Sequence, residues 1–139
     1  MAKKYKIGYT TGVYDMFHIG HLNILRRAKE QCDYLIVGVS TDENVQQYKH
    51  KNPIIPFEHR KAIVEAIRYV DLVVPQENMD KFAAWSKYHF DAIFHGDDWR
   101  GSLMYNEIEQ KLKTVGCDLV FLPHTEGVSS TDIVKKIHG

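Results

Sequence analysis

Two histidines three positions apart carry the first suggestion of chemistry in this chain. His18 and His21 close the segment running from Thr11, with Ile19 and Gly20 between them. At that spacing two imidazoles share one side of a helix once its first turn has formed. Gly12 lets backbone approach a ligand closely, and Gly20 leaves room for a bulky group. A helix starting here adds unpaired N–H groups and positive potential. Such a corner suits a phosphate chain, with the imidazoles stabilising charge in a transition state or protonating a leaving oxygen. An incidental surface pair or a zinc pair shares the spacing, although no Cys, Glu or third His stands nearby at metal-ligand spacing.

Three other segments are rich in polar groups. Pro123 to Asp132 contains Thr125, Ser129, Ser130 and Thr131. Ser129 or Ser130 suits a helix N-cap, with Asp132 favourable in the first turn, and the same hydroxyls suit a second phosphate cradle. Gly96 to Gly101 pairs Asp97 and Asp98 with Trp99, a set that could hold Mg²⁺, read a base or ribose, or form a plain solvated turn. Lys49, Lys51 and Arg60 are an ordinary solvated face taken alone and clamps on a triphosphate when placed beside two anion-binding helix ends. No Ser-His-Asp spacing, reactive-cysteine signature, G-x-G-x-x-G or Walker-type loop is present. None is needed if the substrate brings its own nucleophile, such as a phosphate oxygen attacking a nucleoside triphosphate. Catalysis then reduces to positioning and charge stabilisation.

The elements that must position these groups follow from apolar spacing. Tyr5 to Tyr9, Tyr34 to Val39, Asp71 to Pro75, Asp91 to His95 and Asp118 to Leu122 read as strands. Leu22, Leu25, Ala28 and Cys32 repeat at helical steps, and helices are predicted over Phe57–Tyr69, Met79–His89, Leu103–Val115 and Ser129–His138. Ser40 to Glu43 resembles a helix N-cap, whereas Gln46 to Pro56 is irregular and predicts a mobile loop. Strand–helix alternation predicts an α/β fold: one Rossmann-like domain over residues 1–139, with a parallel sheet of about five strands covered by helices on both faces. All four polar segments then fall beyond the carboxyl ends of strands, where such sheets bind ligands.

Composition narrows the class. The 139 residues amount to one domain. Eighteen Lys and Arg offset eighteen Asp and Glu, so the chain lacks the basic excess of a general nucleic-acid binder or of a protein drawn to anionic membranes. No membrane span or signal peptide is visible, and two isolated cysteines, Cys32 and Cys117, read as reduced packing residues, which together suggest a cytoplasmic protein. Of eight histidines, His50, His59, His89, His95 and His138 receive no role.

With these residues assembled, a family resemblance emerges. His18 to His21 resembles the HxGH signature of the nucleotidyltransferase superfamily, and His124 to Thr131 resembles the R-T-E-G-I-S-T-[ST] signature of the cytidylyltransferases. Glu58 to Lys61, Ile67 to Asp71 and Gly96 to Trp99 are similar to segments of bacterial glycerol-3-phosphate cytidylyltransferases, in order along nearly the whole chain. The resemblance implies transfer of CMP from CTP to a small phosphorylated alcohol, glycerol 3-phosphate being the best match, by direct in-line attack. It implies that His18 and His21 contact the CTP phosphates and that Gly12, Val13, Tyr14 and Asp15 line the nucleotide pocket. Lys49 and Lys51 would bind triphosphate or the incoming phosphate, and Arg60 would bind the second substrate or order the loop. Arg68 would serve a subunit interface, Asp98 and Trp99 would recognise cytidine, and Thr125, Ser129 and Ser130 would bind phosphate and ribose. Mg²⁺ and a homodimer are also implied.

Two positions depart from the family pattern. His124 stands where the family has arginine, replacing a permanent forked charge by an imidazole, and Val13 stands where it has threonine. An adenylyltransferase of the same superfamily is the alternative enzyme, opposed by the T-E-G-hydroxyl segment. A nucleotide-binding domain without turnover is the alternative from another class, motivated by His124.

Overall fold

The computed structural model describes residues 3–96, 102–123, 125 and 129–138, the last helix including Ser130, Asp132 and His138 as backbone only. In chain order the elements are β1 (Tyr5–Gly12), α1 (Ile19–Gln31), β2 (Cys32–Ser40), α2 (Asp42–Lys49), α3 (Phe57–Glu65), β3 (Leu72–Gln76), α4 (Lys81–Tyr88), β4 (Ala92–Gly96), α5 (Leu103–Lys113), β5 (Asp118–Leu122) and α6 (Ser130–His138). The strands form one parallel sheet in the order β3-β2-β1-β4-β5.

Alternation along the strands builds a core on each face of the sheet. Leu35, Val37, Val39 and Phe94 turn toward Leu25 and Ala28 of α1 and Val64 of α3. Tyr9, Ile36, Val74 and Ile93 turn the other way, against Phe82 and Trp85 of α4 and Leu112 of α5. Each such aliphatic side chain contributes about 1.5–3 kcal/mol when fully buried. The chain runs outward from β1 to β2 and β3, then returns to the other side of β1 for β4 and β5. The carboxyl ends of β1 and β4 therefore flank the point where the order reverses, and a crevice opens there.

The predicted α/β architecture is the observed one, with local differences that have physical reasons. β1 runs to Gly12 because Thr10 buries its hydroxyl by donating to the Phe94 carbonyl at 2.8 Å. The stretch read as irregular from Gln46 is helical as far as Lys49. Thr41 caps α2 by accepting from the Asn44 amide, and His50 ends it in the left-handed region at φ 57°. The helix predicted over Phe57–Tyr69 stops at Glu65; from Ala66 the chain continues in tighter three-residue turns, Ile67 N–H to Val64 and Val70 N–H to Ile67. Ile67 and Val70 still pack on the first core. Cys32 and Cys117 are free and buried, and burial pushes their thiols up to about 11 and about 12, away from nucleophilic use. Among the described residues no helix is long and apolar enough to cross a membrane.

Candidate active site

The crevice at the sheet's carboxyl edge is a cavity of 1090 Å³, at the upper end for one small ligand and roomy enough for two substrates. Its walls bring together the end of β1, the start of α1, the segment after α2, the end of β4 and the start of α6. Four of the segments singled out in sequence thus meet in one place.

His18 and His21 hold each other. His18 is the N-cap of α1: its Nδ1 accepts from the Gly20 amide at 3.0 Å, and its own amide donates to His21 Nδ1 at 3.2 Å, closing a capping box. The rings stack with centroids 3.8 Å apart, and the Tyr14 ring meets His21 edge-on at 5.4 Å. Because each Nδ1 accepts, the hydrogen-bond pattern assigns the proton of each neutral ring to Nε2, on its far edge. Burial lowers the pKa of His18, and burial with the neighbouring His18 takes His21 down to about 4. Both are therefore neutral Nε2–H donors near pH 7, at the positive end of a helix.

The loop before α1 is tightly built. Tyr14 and Met16 have φ of 56° and 50°, left-handed values that favour glycine. Tyr14 is nonetheless buried at 5% exposure, its ring folded back over Gly12. A Cβ at Gly12 would stand 2.9 Å from that ring. Gly12→Ala is accordingly expected to cost about 1–3 kcal/mol and to displace the loop, read as a lower melting temperature together with impaired turnover. An alanine variant with native melting and turnover would refute this account of Gly12.

Gly12, Val13, Tyr14, Asp15, Lys49 and Lys51 all line the cavity. The carboxylate of Asp15 accepts the amides of Ile54 and Ile55 at 2.8 and 2.9 Å, so it fastens the lysine-bearing loop to the histidine loop. Burial and the nearby Lys51 lower the pKa of Lys49. Thr125, Ser129 and Thr131 line the opposite side, with Thr125 Oγ1 held by Asn23 Nδ2 at 2.8 Å. Ser129 precedes α6, and its carbonyl receives the Ile133 amide at 3.0 Å. Asp98, Trp99 and His124 lie outside the described residues, as does the side chain of Ser130.

Arg60 corrects the expectation of a clamp. It is 1% exposed and absent from the cavity wall. Its Nε donates to the Ile55 carbonyl, Nη1 to the carbonyls of Val13 and Ser40, and Nη2 to the Asp42 carboxylate, all within 2.7–2.8 Å. Its side chain is enclosed and ties the segments of Val13, Ser40 to Asp42 and Ile55 to α3, the loop-ordering half of the role that the resemblance implied.

Two residues escaped the sequence reading. His95 at the end of β4 lines the cavity, 8% exposed, and Lys81 at the start of α4 is 3% exposed with Nζ donating to Thr11 Oγ1 at 2.9 Å. Burial takes Lys81 down to about 8; burial and the Lys81 charge take His95 down to about 3. The signal for His95 was its place at a strand's carboxyl end; Lys81 gave none, reading as an ordinary helix-surface lysine.

The neutral imidazoles fix the sign of the acid response. Below the ordinary histidine value of about 6.5, the unfolded chain binds protons that folded His21 and His95 refuse, so stability falls with falling pH until the folded values are reached. Urea midpoints of the ligand-free protein are expected to drop from about pH 7 to about pH 5 with a slope of about two protons or more, His18 adding to His21 and His95, and His95→Leu should lower that slope by about one. A level native profile over that range would contradict the buried neutral assignment.

The chain is 41% identical over 131 residues to a glycerol-3-phosphate cytidylyltransferase of Staphylococcus aureus, covering 94% of this chain and 93% of that protein. It is 39% identical over 132 residues to an ethanolamine-phosphate cytidylyltransferase of Mus musculus, covering 91% of this chain and 31% of that longer protein. A solved structure described as the lipopolysaccharide core biosynthesis protein from Thermoplasma volcanium shares the fold, with a TM-score of 0.76 at 24% identity over 88% of this chain and 99% of that one. The model of the cytidylyltransferase-like family matches residues 9–136, from the strand that ends at Gly12 through the helix that faces it across the cavity, and the chain belongs to that family.

Proposed function

We propose that this protein transfers CMP from CTP to glycerol 3-phosphate, releasing pyrophosphate. The observation that carries the reading is the facing of two helix N-termini, those of α1 and α6, across one cavity that also receives Lys49 and Lys51. That arrangement is built for a polyphosphate. The similar proteins named for cytidylyl transfer to phosphorylated alcohols supply the nucleotide and acceptor class.

In this reading the triphosphate lies between the two helix ends. An oxygen of the alcohol's phosphate attacks the α-phosphorus in line; a new P–O bond forms as the bond to the bridging oxygen breaks, and pyrophosphate leaves with that electron pair. His18 and His21 donate from Nε2–H to oxygens whose charge grows as the bridge breaks, without becoming charged themselves. Lys49 and Lys51 balance the charge of the departing group. The hydroxyls of Ser129 and Thr131 and the first amides of α6 hold the opposite side of the nucleotide.

Mg²⁺ belongs to this proposal as a companion of CTP. Among the described residues no group of three or more His, Cys, Asp or Glu could hold a metal, and the Asp15 oxygens already accept two amides. That donor set fits an ion held chiefly by phosphate oxygens and water. The ion would neutralise charge on the triphosphate.

A homodimer is proposed from the exposed apolar side chains Ile63 of α3 and Leu72 of the edge strand β3, which sit where a second copy could cover them. Light scattering would report it. A cytoplasmic location is proposed from the two buried, unpaired thiols.

Pyrophosphate release with CTP and glycerol 3-phosphate, run beside ATP, tests the central reading. CTP-dependent, acceptor-dependent release is the expected result. Release with ATP alone would favour an adenylyltransferase, and binding of CTP without turnover would favour a sensing domain.

A further inference from the structure

Helix α1 grips the chain beyond β5 at two points. Arg27 Nη1 donates to the Pro123 carbonyl at 2.7 Å, and Asn23 Nδ2 donates to Thr125 Oγ1 at 2.8 Å. Thr125 lines the cavity, whereas Asn23 stands behind it, off the cavity wall. Asn23 comes two positions after His21, so the helix that presents the imidazoles also holds the opposite side of the site.

The direction of the Asn23 bond is fixed by a neighbour. The two ends of a carboxamide have nearly the same shape, and their partners tell oxygen from nitrogen. Arg26 Nη2 lies 3.3 Å from Asn23 Oδ1, and Arg26 Nη1 is in turn 3.3 Å from Glu30 Oε1. A guanidinium only donates, so the amide end that meets Arg26 is the oxygen. The end that meets Thr125 is then the nitrogen, which also only donates. Thr125 Oγ1 therefore accepts, and its own proton cannot lie between the two residues. Among the described residues the Thr125 hydroxyl has no second partner, so that proton is left for an acceptor in the cavity it lines.

We propose that Asn23 is a positioning residue for the triphosphate: by occupying a lone pair of Thr125 it makes the Thr125 hydroxyl a dedicated donor to a phosphate oxygen. The proposal rests on the cytidylyl-transfer reading above for the identity of that triphosphate as CTP. Ionised phosphate oxygens only accept, and a hydroxyl bond to one is charge-assisted. A freely rotating hydroxyl must be ordered before it donates, whereas one already turned the right way is spared that cost. Arg26 and Asn23 thus act on the ligand without touching it.

The test is binding of CTP and, as a second probe, inorganic tripolyphosphate, measured by calorimetry. The native chain is compared with Asn23→Leu, Asn23→Asp, Thr125→Val and the two double variants, with a melting curve for each. Leucine keeps the size of the amide without its donor, and Asn23→Leu is expected to weaken both probes about tenfold. An ionised aspartate only accepts, so it draws the Thr125 proton to itself, and Asn23→Asp should weaken both probes about 100-fold. Added to Thr125→Val, Asn23→Leu should weaken binding less than about twofold further, because the group it acts through is gone. Arg27 still holds Pro123 in every variant, and kcat at saturating CTP and glycerol 3-phosphate should stay within about threefold of native in Asn23→Leu. A loss from Asn23→Leu that persists in full beside Thr125→Val would overturn the proposal, since Asn23 would then be a structural prop. Weakened CTP binding with native tripolyphosphate binding would overturn it too, because Thr125 would then meet the ribose. A native chain that binds both probes yet releases no pyrophosphate with CTP and glycerol 3-phosphate would instead overturn the transfer reading and leave the role of Asn23 standing.

Discussion

Replacing His18 by asparagine is expected to reduce turnover by about 10²–10³ while leaving thermal stability almost unchanged. The prediction rests on the two jobs of this ring. Nδ1 caps α1 by accepting from the Gly20 amide, and Nε2–H is left to donate into the cavity. The Oδ1 of asparagine can occupy the Nδ1 position and keep the cap, but nothing replaces the Nε2 donor. Glutamine makes the converse exchange: its amide nitrogen reaches the Nε2 position while the cap is lost. His18→Gln should therefore lose about 1 kcal/mol of stability and retain more turnover than the asparagine variant. Melting curves and single-turnover rates on the pair separate capping from charge stabilisation. Native turnover in His18→Asn would mean that the outer edge of this ring plays no part in the reaction.

Arg60→Met is expected to produce the largest loss of stability, about 3–5 kcal/mol, or roughly 10 °C or more in melting temperature. Three backbone carbonyls and the Asp42 carboxylate lose their donor at once. Val13 and Ser40 are bonded by the same Nη1, so the ends of β1 and β2 are registered through one atom. Lysine should rescue little, since one ammonium on a flexible stem cannot reproduce a planar fork reaching four segments. A clamp on substrate would behave differently, keeping the native melting temperature and raising KM. Denaturation midpoints beside KM values for Arg60→Met and Arg60→Lys decide between the two.

The contrast between Arg60 and Lys81 shows where sequence reasoning reaches and where it stops. The alternation of strands and helices and the two helix layers are legible because apolar residues repeat with periods that belong to buried strands and one-sided helices, whereas the order of strands in the sheet is not encoded in those periods. The position of His18 and His21 at a strand-to-helix turn was legible for the same reason. Apolar spacing could not mark the end of α3, because Ile67 and Val70 face the same core from tight turns as they would from a helix. A cation's partners are set by segments distant in sequence. Arg60 meets Val13, 47 positions away, and Lys81 meets Thr11, 70 positions away. Neither pairing leaves a local pattern, so in sequence one buried cation resembles a clamp and the other an ordinary helix-surface lysine. A histidine at the end of an apolar strand, such as His95, looks like any other strand residue until the crevice beside it is known.

The link from Asp15 to Ile54 and Ile55 has a consequence for timing. The loop with Lys49 and Lys51 cannot lift away without breaking the hydrogen bonds that two consecutive amides donate to a residue three positions before His18. Breathing of one rim of the cavity is thereby shared with the other, as a single local-unfolding unit. Entry of nucleotide and escape of pyrophosphate then depend on the same opening event, and amide exchange at Ile54 and Ile55 should keep step with exchange at Gly20, whose amide is held by the first histidine of the pair.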